Sequence, residues 1–342
     1  MRAIQLLTVG SPLEERQVDV DRPGPLDVLV EVKAAGICHS DVHYRRGPHT
    51  VDRFPMTLGH EVAGVIVETG SLVDSGRVGE RVCLHYQTSC ATCEWCARGS
   101  EQFCREGRML GKGIAGGYAE YVTVPARNAF GLPPSVSFEH GAVMMCSSAT
   151  SLHALRKGRL AAGETVAIIG AGGLGASAIQ IARALGAADV FAVDVDEDKL
   201  ALAGRLGATP IDGRTGDAVE AVITETAGRG VDVALDLVGL EVTTRQAIDV
   251  LGVMGRAVLV GLAGESVDMV PFAALAPRER EIIGCIDHLA QEIPTLLRMA
   301  TRAELVLDDV VGASVPLDAS AINGVMDGLE SYGGPARTVI VP

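Results

Sequence analysis

Residues 165–175 read Thr-Val-Ala-Ile-Ile-Gly-Ala-Gly-Gly-Leu-Gly, and the rest of the chain is organised around them. An apolar, β-branched run ends in G-x-G-x-x-G, and no proline or charge follows until Arg183. That is the order strand, tight turn, helix. A glycine string alone is weak in a chain with 41 glycines, but the strand before it and the helix after it make it specific. Gly170, Gly172, Gly173, Leu174 and Gly175 then mark a phosphate cradle. Gly172 lets backbone approach a pyrophosphate, and the helix N-terminus offers unpaired N–H groups to its charge. Nineteen residues beyond Gly175, Asp194 closes the next apolar run. A carboxylate there accepts hydrogen bonds from the adenosine ribose and repels a 2′-phosphate, which favours NAD over NADP. Lys199 is close enough in sequence to share that ribose. The plain alternative is a structural glycine turn beside a surface aspartate.

Outward from this turn the chain alternates strands and helices. Val166–Ile169, Val190–Asp194, Val231–Leu237, Ala257–Val260 and Ile282–Ile286 read as strands. Leu174–Leu185, Asp198–Leu206, Asp217–Thr226 and Thr243–Leu251 read as helices. Such alternation builds a doubly wound parallel sheet with helices on both faces, an α/β Rossmann domain, over residues 148–286. Residues 1–147 instead read as short strands punctuated by glycine and proline: Val28–Ala34, Gly64–Glu68, Arg81–Leu84 and Ala119–Val124. Residues 287–342 are mixed, end in the strand-like Arg337–Val341, and are read as a return to the first domain. At 342 residues two domains are the natural expectation.

Composition narrows the function. A formal charge of −14 argues against nucleic acid as a partner, because phosphate binding needs a concentrated basic surface. The apolar part of the N-terminus is too short for a signal peptide. The uncharged stretch 165–182 is a buried strand, turn and helix and not a membrane span. A soluble protein of a reducing compartment, the cytoplasm, is expected.

Eight cysteines carry the metal reading. Cys90, Cys93, Cys96 and Cys104 stand at C-x2-C-x2-C-x7-C spacing. Zn2+ takes four thiolates tetrahedrally, and two-residue gaps let one loop wrap the ion. An iron–sulfur cluster is the rival. Disulfides suit neither the length of the chain nor its compartment. Four thiolates leave no open coordination position, so this metal is structural. Cys38, His60 and Cys146, from three separate segments, offer two thiolates and an imidazole with one position left open, the arrangement of a catalytic zinc. Singly, each also reads as an ordinary core residue. Cys83, Cys285 and Trp95 are read as structural, and His85, His140, His153 and His288 have no assigned role.

The motifs G-H-E-x-x-G at 59–64, C-x-S-D-x-H at 38–43, the four-cysteine loop and the glycine turn together resemble the zinc-dependent medium-chain alcohol dehydrogenases. The resemblance covers nearly the whole chain. It implies a partly open, barrel-like (GroES-like), mainly β catalytic domain with a zinc lobe, joined to the Rossmann domain across a cleft. It further implies two zinc ions per chain, NAD, and hydride exchange between an alcohol and the coenzyme, with aldehyde or ketone as the other substrate. Cys38, His60 and Cys146 match the catalytic zinc ligands, and Glu61 the glutamate beside the metal. Ser40 and His43 match a proton relay; imidazole suits its outer end because its ordinary pKa is about 6.5. His39 and Arg337 match pyrophosphate contacts, Thr150 and the backbone near Val238 the nicotinamide end, and Tyr86 an aromatic of the substrate pocket. The segment Tyr44–Pro55, with His49 and Phe54, is read as another pocket wall. Cys as third ligand leans toward simple alcohols, with polyol, amino-alcohol or other secondary-alcohol oxidation as the alternative. A sensor that keeps the fold without turnover is the reading from another class. The resemblance also implies a homo-oligomer, a tetramer or alternatively a dimer, using the sheet edge at Ile282–Ile286.

Overall fold

The computed structural model describes residues 1–47, 51–215, 217–262, 271–331 and 334–342. It divides into two compact units. One comprises Met1–Cys146, Leu289–Arg302 and Leu307–Pro342; the other comprises Ser147–His288 and Ala303–Val306.

The second unit is a six-stranded, wholly parallel sheet. Its strands are β1 (Thr165–Ile169), β2 (Asp189–Asp194), β3 (Thr209–Asp212), β4 (Val231–Asp236), β5 (Leu251–Leu259) and β6 (Glu281–Gly284), in the order 3-2-1-4-5-6. β1 lies at the centre with all five residues buried, as a strand covered on both faces must be. The helices Gly173–Ala184, Glu197–Arg205, Ala218–Glu225 and Glu241–Asp249 connect the strands. Two start on aspartate caps. Asp196 Oδ1 accepts from the amides of Asp198 and Lys199, and Asp217 Oδ1 from those of Val219 and Glu220. Each satisfies N–H groups that the first helical turn leaves without partners. The strand order reverses between β1 and β4, which puts a ligand-binding switch point at their carboxyl ends.

Two elements differ from the sequence reading. β3 was not anticipated, because Pro210 argues against a strand; it is tolerated here because β3 lies at the sheet edge, where a missing N–H costs little. The helix expected at Thr243–Leu251 runs instead from Glu241 to Asp249, and Leu251 opens a β5 longer than expected. β5 reaches back to pair Leu251 with Val231, then shifts register before Arg256 meets Val233. The intervening Val253 and Met254 are exposed, and Met254 adopts φ +59°, so no apolar pattern marks that stretch.

The first unit centres on a mixed seven-stranded sheet. Asp27–Ile37 and Glu61–Thr69 pair antiparallel in its middle, and Arg81–Leu84, Ala129–Gly131, Tyr121–Pro125, Arg337–Val341 and Val311–Pro316 complete it. A small sheet packs Arg2–Leu6 between Glu14–Gln17 and Met56–Thr57. Ile4, Leu6, Val30, Ile66, Leu84, Tyr118 and Ile340 share one core. Full burial of each such side chain is worth about 1.5–3 kcal/mol. Residues 289–342 return helices Ile293–Thr301 and Ala319–Glu330 to this unit. Arg45 fastens the second of these. Its Nη2 donates to Asp327 Oδ1 and Glu330 Oε1, each at 2.7 Å, which holds helix His39–Arg46 against helix Ala319–Glu330.

Cys83 is fully buried, and burial pushes its thiol up to about 12, so it behaves as a small apolar residue. His85 is buried as well, and burial pulls its imidazole down to about 4 against the opposing charge of Glu292. An unfolded histidine titrates near ~6.5, so between these values the unfolded chain binds a proton that the folded chain refuses. Stability should therefore fall as pH drops through that window. His85→Phe should flatten that decline, read as the difference between wild-type and variant urea midpoints across pH 6.5 to about 4.5. Equal slopes would sink this account. Among the described residues no helix is long and apolar enough to cross a membrane.

Candidate metal centre and coenzyme turn

One loop carries the first metal candidate. Cys90, Cys93, Cys96 and Cys104 place their sulfurs within 4.8 Å of one another. Cys90 and Cys96 Sγ lie 3.9 Å apart, and Cys93 and Cys96 Sγ 3.5 Å apart. Four sulfurs at about 2.3 Å from one tetrahedral ion would be separated by about 3.8 Å, so the donor set fits zinc. The loop favours thiolates at Cys90 and Cys93, whereas burial and the neighbouring sulfurs push the Cys96 thiol up to about 11. The amide of Cys90 donates to Cys104 Sγ at 3.2 Å and that of Cys93 to Cys90 Sγ at 3.3 Å. The side chain of Thr92 and neighbouring amides bring the Cys90 thiol down to about 6. Trp95 packs edge-on against Phe103 at 5.7 Å within the lobe.

A second cluster draws on three segments. Cys38, His60, Glu61 and Cys146, all buried, bring one ligand atom each within 4.8 Å of the others. Cys38 closes the strand Asp27–Ile37 and caps helix His39–Arg46. His60 and Glu61 open the strand Glu61–Thr69. Cys146 sits in a π-helical turn, Met144–Ser148, that runs into helix Ala149–Lys157. Its sulfur lies 3.9 Å from that of Cys38. Two thiols and an imidazole at this spacing also fit one zinc. Contact with Cys146, His60 and the charge of Arg337 holds the Cys38 thiol well below its ordinary range, against its burial.

Asp41 received no role from the sequence, although it lies inside the 38–43 motif. It is fully buried, and its Oδ1 lies 3.4 Å from His60 Nδ1. That proximity leaves Nε2 as the nitrogen for a metal, in the usual carboxylate–histidine arrangement. Glu61 Oε1 lies 4.0 Å from His60 Nε2, and the carboxylate is ion-paired with Arg337. Arg337, matched by resemblance to a pyrophosphate contact, is thus buried with its guanidinium on Glu61.

Ser40 and His43, three residues apart on helix His39–Arg46, fall on one face, both half-buried. Ser40 Oγ is 3.7 Å from Cys38 Sγ, and the His43 ring lies 5.0 Å from that of His39. Tyr86 is buried, its ring edge-on to His60 at 5.3 Å. Phe54 is exposed, while His49 lies outside the described residues.

In the second unit the glycine turn joins β1 to helix Gly173–Ala184. Gly170 adopts φ +99°, and a Cβ there would meet Val238 Cγ2 at 2.7 Å. At Gly172 a Cβ would meet nothing within 4 Å, so this side of the turn is open to a ligand. Asp194 Oδ2 accepts from Ala171 N at 2.7 Å, and Oδ1 from the amides of Val195 and Asp196. The carboxylate therefore stands directly beside the turn. Lys199 Nζ lies 3.8 Å from Asp196 Oδ2. Asp236, another residue without a sequence-derived role, shapes the turn after β4. Its Oδ1 accepts from Val238 N and Gly239 N, and its Oδ2 from Thr244 Oγ1 at 2.6 Å. Thr150 is buried near the start of helix Ala149–Lys157.

Residues 24–134 match the model of the alcohol dehydrogenase GroES-like domain, and residues 173–302 that of the zinc-binding dehydrogenases. The chain is 34% identical over 353 residues to an NAD-dependent alcohol dehydrogenase of Sulfurisphaera tokodaii, covering 100% of both. It is 32% identical over 348 residues to an L-threonine 3-dehydrogenase of Symbiobacterium thermophilum, covering 100% of this chain and 98% of the other. Among solved structures, the alcohol dehydrogenase of Aeropyrum pernix matches with a TM-score of 0.91 at 34% identity, each chain covered in full.

Proposed function

The chain belongs to the zinc-dependent medium-chain alcohol dehydrogenases, and we propose that Cys38, His60 and Cys146 hold its catalytic zinc. It is an oxidoreductase that moves a hydride between an alcohol and NAD, with aldehyde or ketone as the other partner. It uses NAD and two zinc ions. When bound at the second cluster, zinc supplies Lewis acidity that lowers the pKa of an alcohol. Ser40 takes the alcohol proton, and His43 passes it to solvent. Glu61 and its partner Arg337 balance charge beside the metal ligands. The glycine turn, with Asp194, binds the pyrophosphate and adenosine ribose of NAD, and Thr150, Lys199 and the backbone at Val238 are its further contacts in that unit; by the resemblance His39 is assigned a coenzyme contact and Tyr86 one to the alcohol. The domain bounds 1–147, 148–286 and 287–342 are part of the same reading. What supports it best is the convergence of Cys38, His60, Glu61 and Cys146 from distant segments on one point.

Cys146 as third ligand, and relatives named NAD-dependent alcohol dehydrogenase, favour simple alcohols over the alternative of polyols, amino alcohols or other secondary alcohols. The relatives that include an L-threonine 3-dehydrogenase keep the second reading in view. A panel of primary, secondary, aromatic and polyhydric alcohols, followed by coenzyme reduction, separates the two. NAD should be used at least about tenfold better than NADP, because the Asp194 carboxylate repels a 2′-phosphate. Equal use of both coenzymes would remove Asp194 from the ribose. We further propose a cytoplasmic homotetramer. Among the described strands β6 ends the sheet, the place where a second chain can pair, and light scattering on the same preparation would read four chains.

A further inference from the structure

The geometry points to Tyr118 as a positioning residue of the catalytic metal site, acting on His60 through Asp41. The inference rests on the reading that Cys38, His60 and Cys146 bind zinc.

Tyr118 is fully buried and touches two of the segments that build the site, those carrying Asp41 and Leu58–Gly59. Its amide donates to Leu58 O at 3.0 Å, and its carbonyl accepts from Ile4 N at 2.8 Å. Its ring lies flush on Gly59, the residue before His60. A Cβ on Gly59 would stand 2.3 Å from Tyr118 Cδ1 and 2.6 Å from Cε1, and Gly59 adopts φ +93°. Gly59 is therefore held to glycine by this ring as well as by its backbone. The hydroxyl donates to Asp41 Oδ2 at 2.9 Å, an oxygen that also accepts from Cys38 N at 3.0 Å.

A phenylalanine would fill the same space, and a buried hydroxyl costs stability unless it is hydrogen-bonded. The function of the hydroxyl lies in its acceptor. Asp41 is a carboxylate sealed from water, with one oxygen committed to Tyr118 and Cys38 and the other turned to His60 Nδ1. Hydrogen bonds to Oδ2 fix the plane of the carboxylate and so keep Oδ1 beside His60 Nδ1, 3.4 Å away. Such outer partners set both the orientation of a ligating histidine and its basicity. With the hydroxyl removed, the carboxylate loses one of the two bonds that fix its plane, Oδ1 is held less firmly beside Nδ1, the imidazole becomes a poorer donor, and a metal held there binds less tightly and is a stronger Lewis acid.

Tyr118→Phe tests this while keeping the ring over Gly59. Zinc release to a colorimetric chelator should show one zinc per chain leaving about tenfold faster than in wild type, the lower end of what outer partners contribute. The other zinc should leave at the wild-type rate. The pH at which kcat/KM for alcohol oxidation rises should move downward, because the zinc that remains bound is the stronger Lewis acid. Unchanged release and an unchanged pH profile, with only a lower unfolding temperature, would reduce Tyr118 to a packing residue and overturn the inference. Asp41→Asn provides the second reading should Tyr118→Phe yield no folded protein. Because Tyr118 acts through Asp41, wild-type zinc release in Asp41→Asn overturns the inference equally. His60→Ala separates the two levels: if it still retains both zincs, the ligand assignment itself is wrong.

Discussion

Cys146→Ala is expected to leave a folded protein that holds one zinc per chain instead of two and has lost turnover. The two metal clusters share no residue: one lies within a single loop of fifteen residues, the other joins segments 108 residues apart. Removing one sulfur from the second cluster leaves the loop's four thiols and their amide donors as they were. Of the proposed ligands Cys38 and His60 remain, and Glu61, the other donor of the cluster, is ion-paired with Arg337, so the site falls below the three protein ligands of a catalytic zinc. Loss of that ion removes several kcal/mol of stabilisation from the reacting alcohol. At about 1.4 kcal/mol per tenfold, turnover should fall on the order of a thousandfold or more. NADH binding should stay within about twofold of wild type, because the coenzyme turn belongs to the other unit. Zinc content by atomic absorption and NADH fluorescence titration read both. Loss of both zincs would mean the sites are not independent, and retention of both would remove Cys146 from the ligand set.

How far the sequence reaches depends on how far apart the interacting residues are. The four-cysteine loop and the glycine turn are short-range objects. Their spacing is their geometry, and a reader needs only C-x2-C and G-x-G-x-x-G to place them. The central sheet was legible for the same reason, because the buried β1 is a continuous apolar run. Elements at the margins were not: β3 is interrupted by Pro210, and β5 begins where Val253 and Met254 are exposed. Pairings across long separations leave no period to detect. Tyr118 meets Asp41 across 77 residues and Arg45 meets Glu330 across 285, each through one polar contact. Nor does any sequence signal announce the π-helical turn that presents Cys146, since Met-Met-Cys-Ser-Ser reads equally well as ordinary helix. The residues proposed to bind directly thus stand in motifs, whereas those that hold them in place, Asp41 apart, do not. Asp41 is instructive because it was quoted inside a motif, yet only its burial against His60 gives it a role.

Substituting alanine at two glycines of the coenzyme turn should separate what the fold needs from what NAD needs. At Gly175 a Cβ would stand 2.1 Å from Gly170 O and 3.0 Å from its carbonyl carbon. Gly170 cannot yield cheaply. It sits at φ +99°, its N–H is bonded to Val193 O at 2.8 Å, and Val238 fills the space beside it. Gly175→Ala must therefore push helix Gly173–Ala184 away from β1 and open the turn. Overpacking of this kind costs about 1–3 kcal/mol, which lowers the unfolding temperature. The same energy lost from the cradle weakens NADH binding by about tenfold to a hundredfold. At Gly172 φ is −67°, outside the left-handed region, and a Cβ meets no protein atom within 4 Å. Gly172→Ala should therefore fold and unfold as wild type does. Its methyl would nonetheless stand on the face where a pyrophosphate approaches the first N–H groups of the helix. NADH affinity should fall while zinc content and unfolding temperature hold. A Gly172→Ala protein that binds NADH as tightly as wild type would mean the open side of the turn does not receive the coenzyme, whatever happens at Gly175.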